Sequence, residues 1–364
     1  MKLIIQVPCY NEADTLERTI RDLPASVPGF EAVEYLVIDD GSTDGTAQKA
    51  SELGVHHVVR HPRNLGLARA FQTGLDACLR FGADVIVNTD ADNQYPGRYI
   101  ACLTAPVAAG RADVVIGDRQ TDTIAHFSPL KQFLQRFGTS VVRRLSGASV
   151  ADAPSGFRAF SREAALRLIV LTRFSYTLET IIQAGKSGLT IVNVPITTNP
   201  PLRPSRLHRG TLQFVLRQMS TMLRLYAFYE PLRTFALISV PFLLIGAAAW
   251  GRFIYLHFAD QSGIARHIQS VTIGTGVLLV GVLVLLFGLQ ADIANKHRQL
   301  TQFILYRLRK FEYRLFSSDE GLALLTGLQH ATFDEVEPVG RVGARLPRRV
   351  PLLVESHNRG ADRG

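Results

Sequence analysis

At 364 residues the chain holds one large domain and something more, and a mean hydropathy of +0.12 is high for a protein with 20 % charged residues. Cys9, Cys78 and Cys102 are scattered singly, which excludes a disulfide framework or a zinc site and fits reduced thiols. The net charge of +9 is not interleaved with exposed aromatics in a folded reader module, so it does not indicate a nucleic-acid partner.

Lys2 is followed directly by Leu3-Ile4-Ile5-Gln6-Val7, which reads as a first strand in place of a signal peptide. A helix is expected from about Ala13 to Leu23, a strand at Glu34–Ile38, a helix from about Thr43 to Leu53, and a short strand at His57–Val59. After the turn Asn64-Leu65-Gly66, a helix from about Leu67 to Phe81 leads to the β-branched run Val85-Ile86-Val87, a buried strand. This βαβα order implies an α/β domain with a mostly parallel central sheet and a ligand crevice at the carboxyl ends of its strands.

Three strand ends carry chemistry. Pro8-Cys9-Tyr10-Asn11-Glu12 leaves the first strand and Asp39-Asp40-Gly41-Ser42-Thr43-Asp44-Gly45 leaves the second. Asp90-Ala91-Asp92-Asn93-Gln94 leaves the strand at Val85–Val87. Carboxylates spaced i, i+2 with a nearby amide offer hard oxygen ligands for Mg²⁺ or Mn²⁺, which keeps waters and takes further ligands from substrate phosphates. Taken singly, each segment also reads as helix capping, with Ser42 or Thr43 as an N-cap, Asp44 in a first turn and Asn11 capping the first helix. Capping and binding are compatible roles.

Further on, Thr234–Gly251 and Ile268–Ala291 contain no charged residue, and each is long enough to cross a bilayer. The opposing reading is a helical hairpin buried in a soluble core. Arg203, Arg206, Arg209, Arg217, Arg224 and Arg233 precede the first run, and Lys296, Arg298, Arg307, Arg309, Lys310 and Arg314 follow the second. That asymmetry places both flanks in the cytosol and the short loop outside. Trp250 and Tyr255 are the expected outer anchors. The boundaries expected are a catalytic domain over 1–210, an amphipathic interfacial or connector helix over 211–233, and transmembrane helices over 234–258 and 268–292. A cytosolic helical segment over 293–336 and a mobile tail over 337–364 complete the chain.

The ordered set formed by Val7–Glu12, Ile38–Gly45, Asn64–Gly66 and Asp90–Gln94 resembles the signature of family 2 glycosyltransferases of GT-A fold. Later segments resemble the polyprenyl-phosphate branch of that family: Gly117-Asp118-Arg119, Asp152-Ala153-Pro154-Ser155-Gly156-Phe157-Arg158, and Arg203-Pro204-Ser205-Arg206. In the last of these Arg206 replaces a lysine and Pro204 alters the spacing. The resemblance implies a GT-A domain with a two-helix membrane anchor, transferring one sugar with inversion from a UDP-, GDP- or dTDP-sugar to a polyprenyl phosphate at the inner face of the cell membrane. Pro8, Tyr10, Glu12, Asp39 and Asp40 would hold the nucleoside, and Asp90, Asp92 and Gln94 the metal and diphosphate. Arg119, Arg136, Arg158, Arg203, Ser205 and Arg206 would handle phosphates, headgroup attraction being an equal reading for Arg203 and Arg206. Asp152 either takes a proton from a hydroxyl acceptor or orients Arg158. Glu179 either faces the site or is structural. Transfer to a lipid or glycan hydroxyl, and a non-catalytic nucleotide-sugar scaffold, are the competing functions; the helix pair also allows a homo-oligomer.

Overall fold

The computed structural model describes residues 1–120, 129–170, 176–200, 220, 224–259, 268–317 and 354–356. The chain divides into two compact units, Met1–Arg209 with Ile304–Gly364, and Gly210–Phe303.

In the first unit, β1 (Lys2–Cys9), β2 (Ala32–Asp39), β3 (His57–Arg60), β4 (Val85–Asn88), β5 (Val114–Asp118), β6 (Arg158–Ser161), β7 (Ile191–Pro195) and β8 (Val354–Ser356) form one sheet. Their order is β7-β5-β6-β4-β1-β2-β3-β8, parallel except for β6 and β8. Helices α1 (Ala13–Asp22), α2 (Thr46–Glu52), α3 (Leu67–Arg80), α4 (Ile100–Ala108), α5 (Pro129–Ser146), α6 (Arg162–Arg167) and α7 (Tyr176–Lys186) fill the connections. The fold is thus a GT-A-like α/β domain.

The central strands are buried on both faces, as their unbroken apolar runs require. One face packs Leu3, Ile5, Val7, Val85 and Val87 beneath α1 and α4 residues such as Leu16 and Leu103. On the other, α3 lies close because Gly74 has no side chain; a Cβ there would sit 2.4 Å from Gln6 Oε1 and 2.9 Å from Ile38 Cδ1. Helix α2 begins at Thr46 rather than near Thr43, because Gly45 takes a left-handed φ of +84°, open to glycine but incompatible with an α-helix. Cys9 and Cys78 are buried free thiols, both pushed up by burial, and Cys102 is an exposed one.

The second unit contains α8 (Pro231–Ala259) and most of α9 (Ile268–Ser317). Both are long and apolar enough to cross a membrane, and only 17 % of the most apolar window of each is buried. Leu237, Tyr255, Phe258 and Ile273 are more than two-thirds exposed. A core hairpin would hide these side chains, so their exposure supports a membrane association over the soluble-core reading. The helices run antiparallel: a Cβ on Gly246 would meet Leu278, one on Gly281 would meet Leu243, and one on Gly288 would meet Phe235. Gly274, Gly281 and Gly288 recur every seven residues, a small-residue stripe that lets the backbones approach.

The end of α9, from Ile304, returns to the first unit. Tyr306 Oη donates to Glu163 Oε1 at 2.7 Å, and Arg309 Nη1 donates to the carbonyls of Leu166 and Leu168 at 3.3 and 3.1 Å. Arg309 also pairs with Asp76. A cation at the open carbonyl end of α6 complements the helix dipole.

Candidate active site

The carboxyl ends of β1 and β2 lie side by side, with Cys9 registered on Asp39, and the loops that follow are bonded to one another. Asn11 N–H donates to Ser42 Oγ and Thr43 N–H to Asn11 Oδ1, both at 2.9 Å. Glu12 N–H donates to Thr46 Oγ1 and Ala13 N–H to Asp44 Oδ2, both at 3.0 Å. The caps of α1 therefore come from the neighbouring loop, not from Asn11 in its own. Burial works against the Asp44 charge, but the Thr46 hydroxyl and the Ala13 and Thr46 amides outweigh it and lower its pKa.

Asp39 is fully buried, accepting from Ser42 N–H at 2.9 Å and lying 3.2 Å from Arg60 Nε. The Arg60 ion pair falls on Oδ2, which makes no hydrogen bond of good geometry and so keeps acceptor capacity for a donor nucleoside. Asp40 is differently occupied: it accepts from Leu65 and Gly66 N–H at 2.9 and 2.8 Å and lies 2.7 Å from His61 Nδ1. It ties the Asn64–Gly66 turn to β2 and offers no open carboxylate. Gly41, at φ +73°, lies under that turn, where a Cβ would fall 2.4 Å from the Arg63 carbonyl carbon. Pro8 is buried beside this edge, Tyr10 is exposed, and Glu12 Oε2 accepts from Thr15 Oγ1 at 2.8 Å.

Asp90 and Asp92 leave β4 on a laced loop. Ala91 and Asn93 carbonyls accept from Thr19 Oγ1 at 2.8 Å and Asn199 Nδ2 at 2.9 Å, and Gln94 O accepts from Asn199 N–H at 2.9 Å. Burial first, then the charge of Asp92, pushes Asp90 up to about 7, against the opposing pull of Arg119. Two carboxylates that repel each other in a partly closed site favour a divalent cation between them. No group of three or more His, Cys, Asp or Glu among the described residues could cage a metal. Asp90 and Asp92, with Gln94 two residues on, are the residues that could hold a Mg²⁺- or Mn²⁺-type ion, which would complete its shell from water and phosphate.

Arg119 Nε and Nη2 grip Asp152 Oδ2 and Oδ1 at 2.6 and 2.9 Å, and the Arg119 amide adds a third bond at 3.2 Å. Burial opposes the Arg119 charge, but Tyr95, Asp152 and Asp90 raise its pKa. The partner of Asp152 is therefore Arg119, not Arg158. Arg158 is fully buried and turns toward α7. It donates to the carbonyls of Ser155, Thr177 and Ala153 at 2.8, 2.7 and 2.7 Å and to Thr180 Oγ1 at 2.8 Å. Burial lowers it to about 10, still charged at neutral pH. With every nitrogen engaged, it is a pin inside the domain, not a phosphate ligand.

Gly156 lies against Asp90, held by its N–H to Tyr95 Oη at 3.2 Å and by its carbonyl from Asn88 Nδ2 at 2.8 Å. Asn88 Nδ2 also lies 3.2 Å from Tyr176 Oη and its Oδ1 accepts from Gln6 Nε2 at 2.9 Å. This frame and His61 escape a motif reading; the available signal is Gln6 and Asn88 as paired polar breaks in two apolar strands. Glu179 is buried and accepts from Gln183 Nε2 at 3.2 Å, a structural position. Arg203, Ser205 and Arg206 lie outside the described residues, and of Arg136 only the α5 backbone is described.

A mostly parallel α/β sheet with polar loops on β1 and β2 and a paired-aspartate loop on β4 is the architecture of a sugar-transferase domain. The profile of glycosyl transferase family 2 matches residues 4–168. The chain is 30 % identical to polyprenol monophosphomannose synthase of Mycolicibacterium smegmatis over 54 % of its own length and 77 % of that protein's. It is 30 % identical to glycosyltransferase AglJ of Haloferax volcanii over 81 % and 94 %, and 29 % identical to the undecaprenyl-phosphate mannosyltransferase of Micrococcus luteus over 54 % and 83 %. The chain belongs to glycosyltransferase family 2 and is a glycosyltransferase.

Proposed function

We propose that this protein transfers one sugar, with inversion, from a nucleotide-sugar to a polyprenyl phosphate at the cytosolic face of the cell membrane. One observation carries the choice of acceptor. A hydroxyl acceptor needs a carboxylate free to take its proton. Asp152, the carboxylate that could take such a proton, has both oxygens gripped by Arg119, and both of Asp40 are held by backbone amides; the Oδ2 of Asp39 goes to the nucleoside. Asp90 and Asp92 fit the metal. A phosphate monoester is largely ionised near neutral pH, its second pKa being about 6, and brings its own nucleophilic oxygen. The names of the Mycolicibacterium and Micrococcus relatives support the same acceptor class.

An oxygen of the acceptor phosphate attacks the anomeric carbon as its bond to the nucleoside diphosphate breaks. Asp39 and the loops beside it hold the nucleoside, and Asp90, Asp92 and Gln94 hold the cation. That cation supplies positive charge for the departing diphosphate. The frame around Gly156 fixes the backbone against Asp90. The basic flanks of α8 and α9 support cytosolic placement of both ends.

The test incubates the full chain in detergent with undecaprenyl phosphate, Mg²⁺ or Mn²⁺ and UDP-, GDP- and dTDP-sugars, and reads lipid mass. A gain of one sugar, lost with EDTA and in Asp92→Ala, is expected. Transfer to undephosphorylated analogues bearing only a hydroxyl, or no transfer with any donor by folded protein, overturns the proposal.

A further inference from the structure

The second unit carries a cation that no carboxylate among the described residues pairs. Arg298 Cζ lies 3.9 Å from the ring centroid of Phe228 and 4.7 Å from that of Tyr229. Its Nη2 donates to Asn295 Oδ1 at 2.7 Å. Its Nε and Nη1 are shielded from solvent and have no hydrogen-bond partner, and so is Nε2 of Gln302, one turn further along α9. Three buried N–H-bearing nitrogens around one positive charge lack an acceptor, and such groups are normally satisfied. Water alone would supply oxygens without neutralising the charge.

Position selects the anion. Arg298 follows the last residue of the uncharged run, Ala291, by seven residues. On a helix that is roughly 10 Å, which reaches the headgroup layer beyond a hydrocarbon core about 30 Å thick. Guanidinium groups stacked on aromatic rings and carrying a planar fork of donors suit phosphate oxygens. Basic pockets beside membrane helices on the cytoplasmic side hold phosphate headgroups by the same chemistry.

We propose that Arg298, stacked on Phe228 and Tyr229 and assisted by Gln302, binds the phosphate headgroup of a membrane lipid within the helical anchor. This rests on the membrane reading of α8 and α9 but not on the sugar-transfer reaction. The headgroup belongs either to a bilayer phospholipid or to a polyprenyl phosphate.

Native mass spectrometry of the full chain released from mixed micelles tests it. The micelles carry phosphatidylglycerol, undecaprenyl phosphate or phosphatidylcholine in turn. The wild type should retain one phosphatidylglycerol or undecaprenyl phosphate in preference to phosphatidylcholine. Arg298→Gln should weaken that retention about tenfold or more, the worth of a charge-assisted hydrogen bond. Arg298→Lys, which keeps the charge and guards against misfolding of the first variant, should fall between them. Retention of phosphatidylglycerol names a bilayer lipid, and selective retention of undecaprenyl phosphate names the acceptor. Equal retention of all three lipids by the wild type, or wild-type retention by folded Arg298→Gln, overturns the proposal. Sugar transfer measured on the same samples reports separately on the catalytic reading.

Discussion

Replacing Arg158 by Met separates its two conceivable roles, phosphate ligand and internal pin. The side chain makes four hydrogen bonds of 2.7 to 2.8 Å, three of them to main-chain carbonyls that have no solvent to turn to. Orphaning a buried acceptor costs about 1–3 kcal/mol; the Thr177 carbonyl keeps its bond from Thr180 Oγ1, so the Ala153 and Ser155 carbonyls, partly relaxed and offset by removal of a desolvated charge, come to about 2–4 kcal/mol. That is a large share of a stability on the order of 5–15 kcal/mol. At about 2–4 °C per kcal/mol for a domain of this size, the melting temperature should drop by roughly 10 °C. Circular dichroism melts of the full chain in detergent give the shift, and hydrogen exchange should localise it to Ala153–Arg158 and the start of α7. Arg158→Lys, with fewer donors and no fork, should recover only part. A variant with wild-type melting but a raised acceptor KM would refute this reasoning and restore Arg158 as a phosphate ligand.

If Asp152 positions Arg119 and takes no proton, Asp152→Asn should lower kcat less than about tenfold, raise acceptor KM and leave the pH profile unmoved. Loss of a general base costs about 10²- to 10⁴-fold, and such a drop in kcat would contradict the reading. Metal affinity should fall with pH: Asp90 is raised to about 7 without metal, so below that value the cation must expel a proton and binding weakens by up to about tenfold per unit. Calorimetric Mn²⁺ titrations in buffers of different ionisation enthalpy should register that proton, and pH-independent affinity from 6 to 8 would count against it. Gly41→Ala places a Cβ 2.4 Å from the Arg63 carbonyl carbon at a φ of +73°; it should cost about 2 kcal/mol or more and weaken nucleotide binding, as melts with and without UDP or GDP would reveal.

The strand-loop-helix order and the three loops at the sheet edge were legible because their signals are local: β-branched runs, turn residues and an i, i+2 acidic pair. Strand β6 was not, since Arg158–Ser161 carries a fully buried arginine whose partners lie in other elements. Nothing in a linear reading separates a guanidinium aimed at phosphate from one that fastens α7 to a turn. The choice between Arg119 and Arg158 as partner of Asp152 was equally tertiary. Asp40 looked like a ligand because its neighbour Asp39 does; backbone amides 25 and 26 residues away decide otherwise. Gln6 and Asn88 were visible as misfits in apolar strands, but their shared task required knowing that β1 and β4 are neighbours.

The cross-bonding of the β1 and β2 loops bears on how the enzyme comes into being. Each contact joins residues 31 to 34 positions apart, so neither α1 nor the loop after β2 can mature while the other is still unmade. A nascent chain that has emerged only through α1 has a helix with uncapped amides and half a binding edge. The second loop completes both at once. Competence to hold a nucleotide should therefore appear in a single step along the growing chain, after β2 has docked, and nucleotide present during refolding should hasten recovery of the domain only from that point onward.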